Sequence, residues 1–162
     1  GTTMEARFET VSIAEVPETG MRLFVCSQPT REAVWLPELM QHANTAVAIK
    51  RLIVSSPDPE SAARQWLRVI PHARALSTPD GVTLDLGRHV LEIVTPAAAR
   101  SRYQAEVEDD APHGVGLLFA VKSLETCRAQ LQAGGIAFTA GANRLSVAPH
   151  AACNAWLGFE PA

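Results

Sequence analysis

The sequence predicts an α+β fold: two tandem β-α-β-β-β modules forming an open, curled mixed β-sheet barrel, preceded by a β-hairpin. Three observations predict it. The stretch from Ala48 to Leu67, AIKRLIVSSPDPESAARQWL, is written a second time from Val115 to Leu131, VGLLFAVKSLETCRAQL. With Val54 set over Val121, Leu52 falls on Phe119, Ser56 on Ser123 and Asp58 on Glu125, and a repeat that carries its own loop chemistry marks two copies of one supersecondary unit. Each copy is followed by three short β-like runs separated by turn residues. The polar, acid-rich stretch from Ala97 to Pro112 divides them.

Taken in order, residues 5–16 partly alternate apolar with polar (Phe8, Val11, Ile13, Val16), and residues 21–26, MRLFVC, form a second run. Pro17-Glu18-Thr19-Gly20 supplies the turn of a hairpin. Residues 28–45 read as an ordered crossover with one helical turn near Glu38–His42, pinned to the body by Trp35 and Leu39. Residues 47–55 form an aliphatic, β-branched strand broken by Pro57-Asp58-Pro59. Asp58 suits an N-cap and Pro59 a first helical position. Ala62, Ala63, Trp66, Leu67 and Ile70 then recur at helical spacing until Pro71. Strands follow near 72–77, 82–86 and 89–95, the first pair joined by Thr78-Pro79-Asp80-Gly81. The second copy runs as strand 115–121, a helix from Ser123 to Gly134-Gly135, and strands near 136–139, 144–147 and 155–160. The expected division is residues 1–45 as hairpin and crossover, then modules 46–96 and 113–161 joined by linker 97–112, with a helical turn around Ala98–Glu106.

A chain of 162 residues with 47% hydrophobic and 19% charged residues has ordinary globular composition. A net charge of −3, with arginines scattered among acids, argues against nucleic acid as a partner. Three cysteines without CxxC spacing predict a reduced, cytoplasmic chain with buried thiols. No apolar run is long enough to span a membrane. No GxSxG, CxxC or phosphate-loop pattern occurs, and Cys153, with Asn154 and His150 beside it, lacks the spacing for a thiol–imidazole pair.

The doubled order and the patterns LIVSSPDPE, FAVKSLE, HVLEIVTP and WLGFEP resemble the vicinal oxygen chelate (glyoxalase/bleomycin resistance/dioxygenase) superfamily of glyoxalase-like domains over residues 46–161. Residues 24–46, FVCSQPTREAVWLPELMQHANTA, resemble the stretch before the second module in uncharacterised bacterial glyoxalase-like proteins. In that picture the hairpin is the end of a preceding module. Gly1-Thr2-Thr3-Met4, which does not open like a natural translation product, reads as a cleavage scar or as a cut within a longer chain. The resemblance implies a cavity lined by the first and fourth strands of each module. It also implies lyase, isomerase or dioxygenase-like chemistry at a divalent metal held by His, Gln or Glu, or metal-free sequestration of small molecules as in the drug-binding relatives. The ligand positions implied by the family fall on Ile49, Gly116, Glu92 and Leu157. Only Glu92 can ligate, so the usual metal is expected to be absent.

The candidate site residues are Arg51, Glu92, His113, Leu118, Leu157, Trp35 and His42, with Glu92 the catalytic candidate. Arg51 lies two residues past Ile49 on the face expected to carry Glu92. Three readings stay open: a structural Arg51–Glu92 ion pair, a polar handle or general base for a ligand, and a one-residue register slip that reverses both faces. His113 opens the second module's first strand. Trp35 and His42 lie in a crossover that could cover the cavity mouth, and Gln28 stands where the relatives tend to carry His. His72, His89 and His150 are expected at the surface. The expected function is binding, and possible transformation, of a small oxygen-bearing metabolite with no resident cofactor. The alternatives are a metal-free sequestration protein of the bleomycin-resistance type or a structural half of a larger enzyme. The hairpin's open edge and apolar face predict a homodimer.

Overall fold

The computed structural model describes residues 4–13 and 21–162. Strands β1 (Glu9–Ser12) and β2 (Phe24–Ser27) pair antiparallel as an isolated two-stranded sheet. The Pro17–Gly20 turn lies outside the described residues. Two one-turn 3-10 helices, Arg31–Ala33 and Pro37–Leu39, carry the crossover. The first module is β3 (Ala46–Ser55), α1 (Pro59–Val69), β4 (Arg74–Thr78), β5 (Gly81–Asp85) and β6 (Val90–Val94). The second is β7 (His113–Val121), α3 (Leu124–Ala133), β8 (Thr139–Ala140), β9 (Leu145–Val147) and β10 (Trp156–Pro161), with α2 (Pro96–Tyr103) between the two.

The strand order of the main sheet is β4-β5-β6-β3-β7-β10-β9-β8. Each module's first and fourth strands run parallel, and the modules join edge to edge through the antiparallel pair β3–β7. The sheet does not close; β4 and β8 are its edges.

Local chemistry fixes the helices. The Asp58 side chain accepts from the Ser61 amide at 2.9 Å with Pro59 in the first turn. The Ser123 hydroxyl accepts from the Thr126 amide at 3.1 Å. These caps satisfy amides that have no intrahelical partner. One face of the sheet, here the outer face, carries both helices. Ala62, Ala63 and Trp66 of α1 pack on Val54, Val82, Leu84, Leu91 and Ile93, while Cys127 and Leu131 of α3 pack on Val121, Leu145, Val147 and Phe159.

The opposite, inner face carries α2. The Thr95 hydroxyl caps it, Pro96 opens it, and Gln104 ends it in a left-handed conformation (φ 54°). Its Ala98, Ala99 and Tyr103 join Ile53, Val94, Ala105, Val115, Leu118 and Trp156 in a third core. Small alanines let the helix approach the sheet closely. The stretch expected to be a linker therefore contributes a helix to the hydrophobic core.

Two other expectations are corrected. Trp35 and Leu39 do not pin the crossover, being 48% and 68% exposed. The Trp35 indole instead donates to Gln28 Oε1 at 2.6 Å and stacks under Arg31. The crossover is anchored by Thr45, whose hydroxyl accepts from the Ser123 amide at 3.1 Å and whose carbonyl accepts from the Lys122 amide at 3.0 Å. Of the cysteines only Cys127 is buried. Cys26 lies on a hairpin that no helix covers, and Cys153 lies in a left-handed turn (φ 52°).

Gly158 shows how tightly the inner face is filled. A Cβ there would run into the Trp156 ring and Leu118 Cδ1. Gly158→Ala is expected to push the indole aside and cost about 1–3 kcal/mol, the usual range for overpacking. Urea unfolding with tryptophan fluorescence checks this; unchanged stability would mean that the ring has free space.

Candidate functional site

The register decides which side chains share the inner face. Ile53 pairs with Glu92 and Arg51 with Val90 between parallel β3 and β6, so Arg51, Ile53 and Glu92 point the same way. Arg51 also lies opposite Leu118 of β7. A β-bulge interrupts the β3–β7 ladder between Ile49 and Arg51. The extra residue, Lys50, is thereby turned toward the same side as Arg51. Two consecutive cations thus serve one face, which strict alternation would forbid.

Each cation meets a different carboxylate. Arg51 Nη1 donates to Glu92 Oε2 at 2.7 Å, and Lys50 Nζ lies 3.2 Å from Glu160 Oε2. Helix α2 supplies a second partner for Glu92: Arg102 Nη1 lies 2.9 Å from Oε1 and 3.1 Å from Asp80 Oδ2. The β8–β9 turn supplies a second partner for Glu160, whose Oε1 accepts from Arg144 Nε at 2.8 Å. Glu92 is buried, with only 7% of its side chain exposed, and both of its oxygens are engaged. Tyr103 lies beside it, its hydroxyl accepting from Arg102 Nη2 at 3.0 Å and its ring edge-on to Trp156 at 4.9 Å.

Burial pushes the Tyr103 phenol up to about 12, and the Glu92 carboxylate adds to the rise. For Arg102, burial opposes the charge, but the Glu92 carboxylate outweighs it and the guanidinium lies above its ordinary value. For Glu160, burial alone would raise the carboxyl; hydrogen bonds from Arg144 and Lys50 outweigh it and hold it below the ordinary range. That contribution to stability is present above the ordinary carboxylate range and is lost as pH falls through the lowered value.

Of the predicted site residues, the inner face gathers Arg51, Glu92 and Leu118. Leu157 points the other way, packed in the α3 core, and pairs with Leu117 and Val147. Glu160 pairs with Ala120 of β7 as Glu92 pairs with Ile53 of β3. The second module's fourth-strand position is therefore Glu160, not Leu157. His42 lines an outer-face cleft of about 360 Å³ with Leu39, Met40, Ile49 and Phe119, away from the Glu92 cluster. Trp35 lies in the crossover with Gln28. His113, half-buried, accepts a long contact from the Glu108 amide at 3.4 Å. The exposed His89 ring lies 2.7 Å from the Ile49 carbonyl.

The fold of this chain is similar to that of several solved structures. A hypothetical protein from Staphylococcus aureus superposes with a TM-score of 0.63 at 11% identity, over 97% of this chain and 50% of its own. A hypothetical protein from Bacillus halodurans C-125 gives 0.54 at 13% identity, over 71% and 94%. A methylmalonyl-CoA epimerase gives 0.52 at 10% identity, over 72% and 96%. This is the vicinal oxygen chelate fold. The chain spans half the length of the staphylococcal protein with that fold. No protein-family model matches the sequence, and none of the curated proteins compared with it is similar.

The donor set does not fit the metal that this fold implies. Ile49, expected on the same face as Arg51, is turned to the outer face by the bulge, and a Cβ at Gly116 would strike the Trp156 backbone, so no side chain can stand there. Glu92 and Glu160 are each committed to two cations. Among the described residues, no group of three His, Cys, Asp or Glu could hold a metal ion.

The contribution of Lys50, Glu160, Arg102 and Arg144 escapes sequence reasoning. A bulge leaves no compositional mark, and Arg102 lies in a stretch read as linker.

Tyr103 is the chain's single tyrosine, so tyrosinate absorbance reports on it alone. The folded chain should titrate near 12 rather than the usual value of about 10. Because the folded value is raised, this contribution to stability is present below pH ~10 and lost as pH rises further. Glu92→Ala should lower the midpoint. It should also destabilise the chain by about 2–4 kcal/mol, toward the low side for a buried pair because both arginines keep some solvent. An unshifted titration together with unchanged unfolding would mean that Glu92 faces solvent.

Proposed function

We propose that this chain is a glyoxalase-fold module that binds a small oxygen-bearing metabolite without a resident metal ion. The observation that carries the reading is the pairing of both fourth-strand carboxylates with cations. A divalent ion would have to displace Arg51 and Arg102 from Glu92, or Lys50 and Arg144 from Glu160. Removing one partner of such a pair strands the other's charge, which is costly.

The same residues suit anionic oxygens. Four cations, Lys50, Arg51, Arg102 and Arg144, face three carboxylates, Glu92, Glu160 and Asp80. The cations keep 30–46% of their side chains exposed. Arg51 Nε is buried and has no hydrogen-bond acceptor in the protein, leaving a donor unspent. Binding is favoured over transformation because both Glu92 oxygens are engaged, which leaves no free carboxylate to abstract a proton. A methylmalonyl-CoA epimerase shares the fold, so chemistry on an acyl thioester is the catalytic alternative.

A second reading rests on the hairpin: the chain works as one half of a larger assembly, either a homodimer or part of a longer chain. Phe8, Val11, Phe24 and Val25 are all more than half exposed, and among the described hairpin residues only Leu23 and Met21 reach the first module's core. The staphylococcal chain, matched over half its length, is large enough to hold a further unit. No helix among the described residues is long and apolar enough to cross a membrane.

The purified chain should carry no stoichiometric zinc, nickel or manganese and gain no thermal stability from them. Short carboxylic acids should raise its melting temperature, and Arg51→Gln should abolish that rise. One divalent ion per chain by elemental analysis would sink the metal-free reading.

Sedimentation should show a dimer, and removing residues 1–28 should give a monomer or an aggregating chain. An intact monomer whose truncated form stays soluble and equally stable would make the hairpin an appendage.

A further inference from the structure

A cavity of about 160 Å³ opens between the segment following α2 and the turn before β10. Gln104, Glu106, Pro149, His150 and Asn154 line it. Its walls come from two segments far apart in sequence, both adjoining the inner face through Ala105 and Trp156. Two amides, a carboxylate and an imidazole converge there. Among the described residues none of these four side chains has a hydrogen bond, ion pair or ring contact within the protein. Four polar groups around one hollow are thus all free to bind something else.

The backbone around the cavity is also unusual. Four described non-glycine residues have positive φ, and three are here: Gln104 at 54°, Cys153 at 52° and Asn154 at 65°. Asparagine tolerates this conformation, but glutamine and cysteine are held in it at a cost. The Asn154 amide donates to the Pro149 carbonyl at 2.9 Å, closing the turn that brings His150 and Asn154 to one side.

Charge selects the ligand. Glu106 is unpaired, and Glu108 and Asp110 follow it closely; Arg100, the cation on the preceding turn, is committed to Asp109 at 2.6 Å and to the Val107 carbonyl at 2.9 Å. The carbonyl end of α2 points to the same region and adds partial negative charge. His150 and Asn154 offer donors to an oxygen on the other wall. The hollow, about 160 Å³, suits a ligand of a few non-hydrogen atoms.

We propose that this pocket binds a small primary ammonium compound that also carries a hydroxyl or carbonyl oxygen. The ammonium group is held by the Glu106 carboxylate and the Gln104 side-chain carbonyl; the oxygen accepts from His150 and Asn154. The site is separate from the Glu92 and Glu160 ion pairs, so it stands or falls independently of the function proposed above.

Titrating the full chain with ethanolamine, followed by amide chemical shifts, tests the proposal. Saturable shifts are expected at residues 104–107 and 149–155, with a dissociation constant on the order of millimolar. Ethylene glycol, which lacks the ammonium group, should produce none. Glu106→Gln should weaken binding at least ~10-fold, and His150→Ala should weaken it while leaving the rest of the spectrum in place. Both residues are exposed, so the variants keep the fold, and their undisturbed spectra elsewhere verify it. The absence of saturable shifts overturns the proposal. So do equal shifts in Glu106→Gln, or shifts that spread over the acidic surface and vanish at ~0.15 M salt, where exposed charges are screened.

Discussion

The antiparallel pairing of β3 with β7 is the interaction on which everything else depends. It joins the two modules into one eight-stranded sheet and places Arg51 opposite Leu118. Its bulge at Lys50 gives each inner-face glutamate a cation from the same strand: Lys50 crosses to the second module's Glu160, while Arg51 stays within the first module on Glu92. Without the bulge, one of the two would point to the outer face. A local irregularity of one residue thus sets the charge pattern of the whole inner face.

The result is a fully paired set of inner-face carboxylates. This chain has one carboxylate on the fourth strand of each module, Glu92 and Glu160. Both are bonded to cations, and α2 lies across the apolar floor between them with Tyr103 against Trp156. Arg102 reaches Glu92 from that helix, so the covering of the inner face and the neutralisation of its carboxylate are one event.

Much of this was legible in the sequence, for definite reasons. The doubled strand–break–acid–helix pattern predicted both modules because capping is local chemistry: Asp58 and Ser123 cap α1 and α3 whatever surrounds them. The Arg51–Glu92 ion pair was one of three readings that alternation left open, and the strand register selects it. Three things were not legible. The fourth-strand slot was set at Leu157 instead of Glu160, because connection lengths differ between the modules and only strand register settles the position. The linker was expected to hold a helical turn around Ala98–Glu106, but the place of α2 in the core was not, since its short alanine-rich sequence has no apolar stripe of its own and gains its burial from the sheet. The crossover was expected near the cavity mouth, but His42 lies on the outer face, a consequence of the register at Ile49 that no local pattern reveals.

The lock between Thr45 and Ser123 has a consequence for how the chain acquires its shape. These residues lie 78 positions apart, and the Thr45 hydroxyl both accepts from the Ser123 amide and donates to its carbonyl. During synthesis β3 emerges early, and the edge that β7 will cover stays open until most of the chain has followed. Closing so long a loop costs entropy before any contact offsets it, which places this step among the slow ones. In that interval β3 is an aliphatic strand with an unpaired edge, the kind of segment that captures a neighbouring chain. Of the two consecutive cations at its middle, Arg51 can meet Glu92 once β6 has emerged, whereas Lys50 stays unpaired until β10 brings Glu160. Their charge opposes stacking of one nascent strand on another until the glutamates of β6 and β10 arrive.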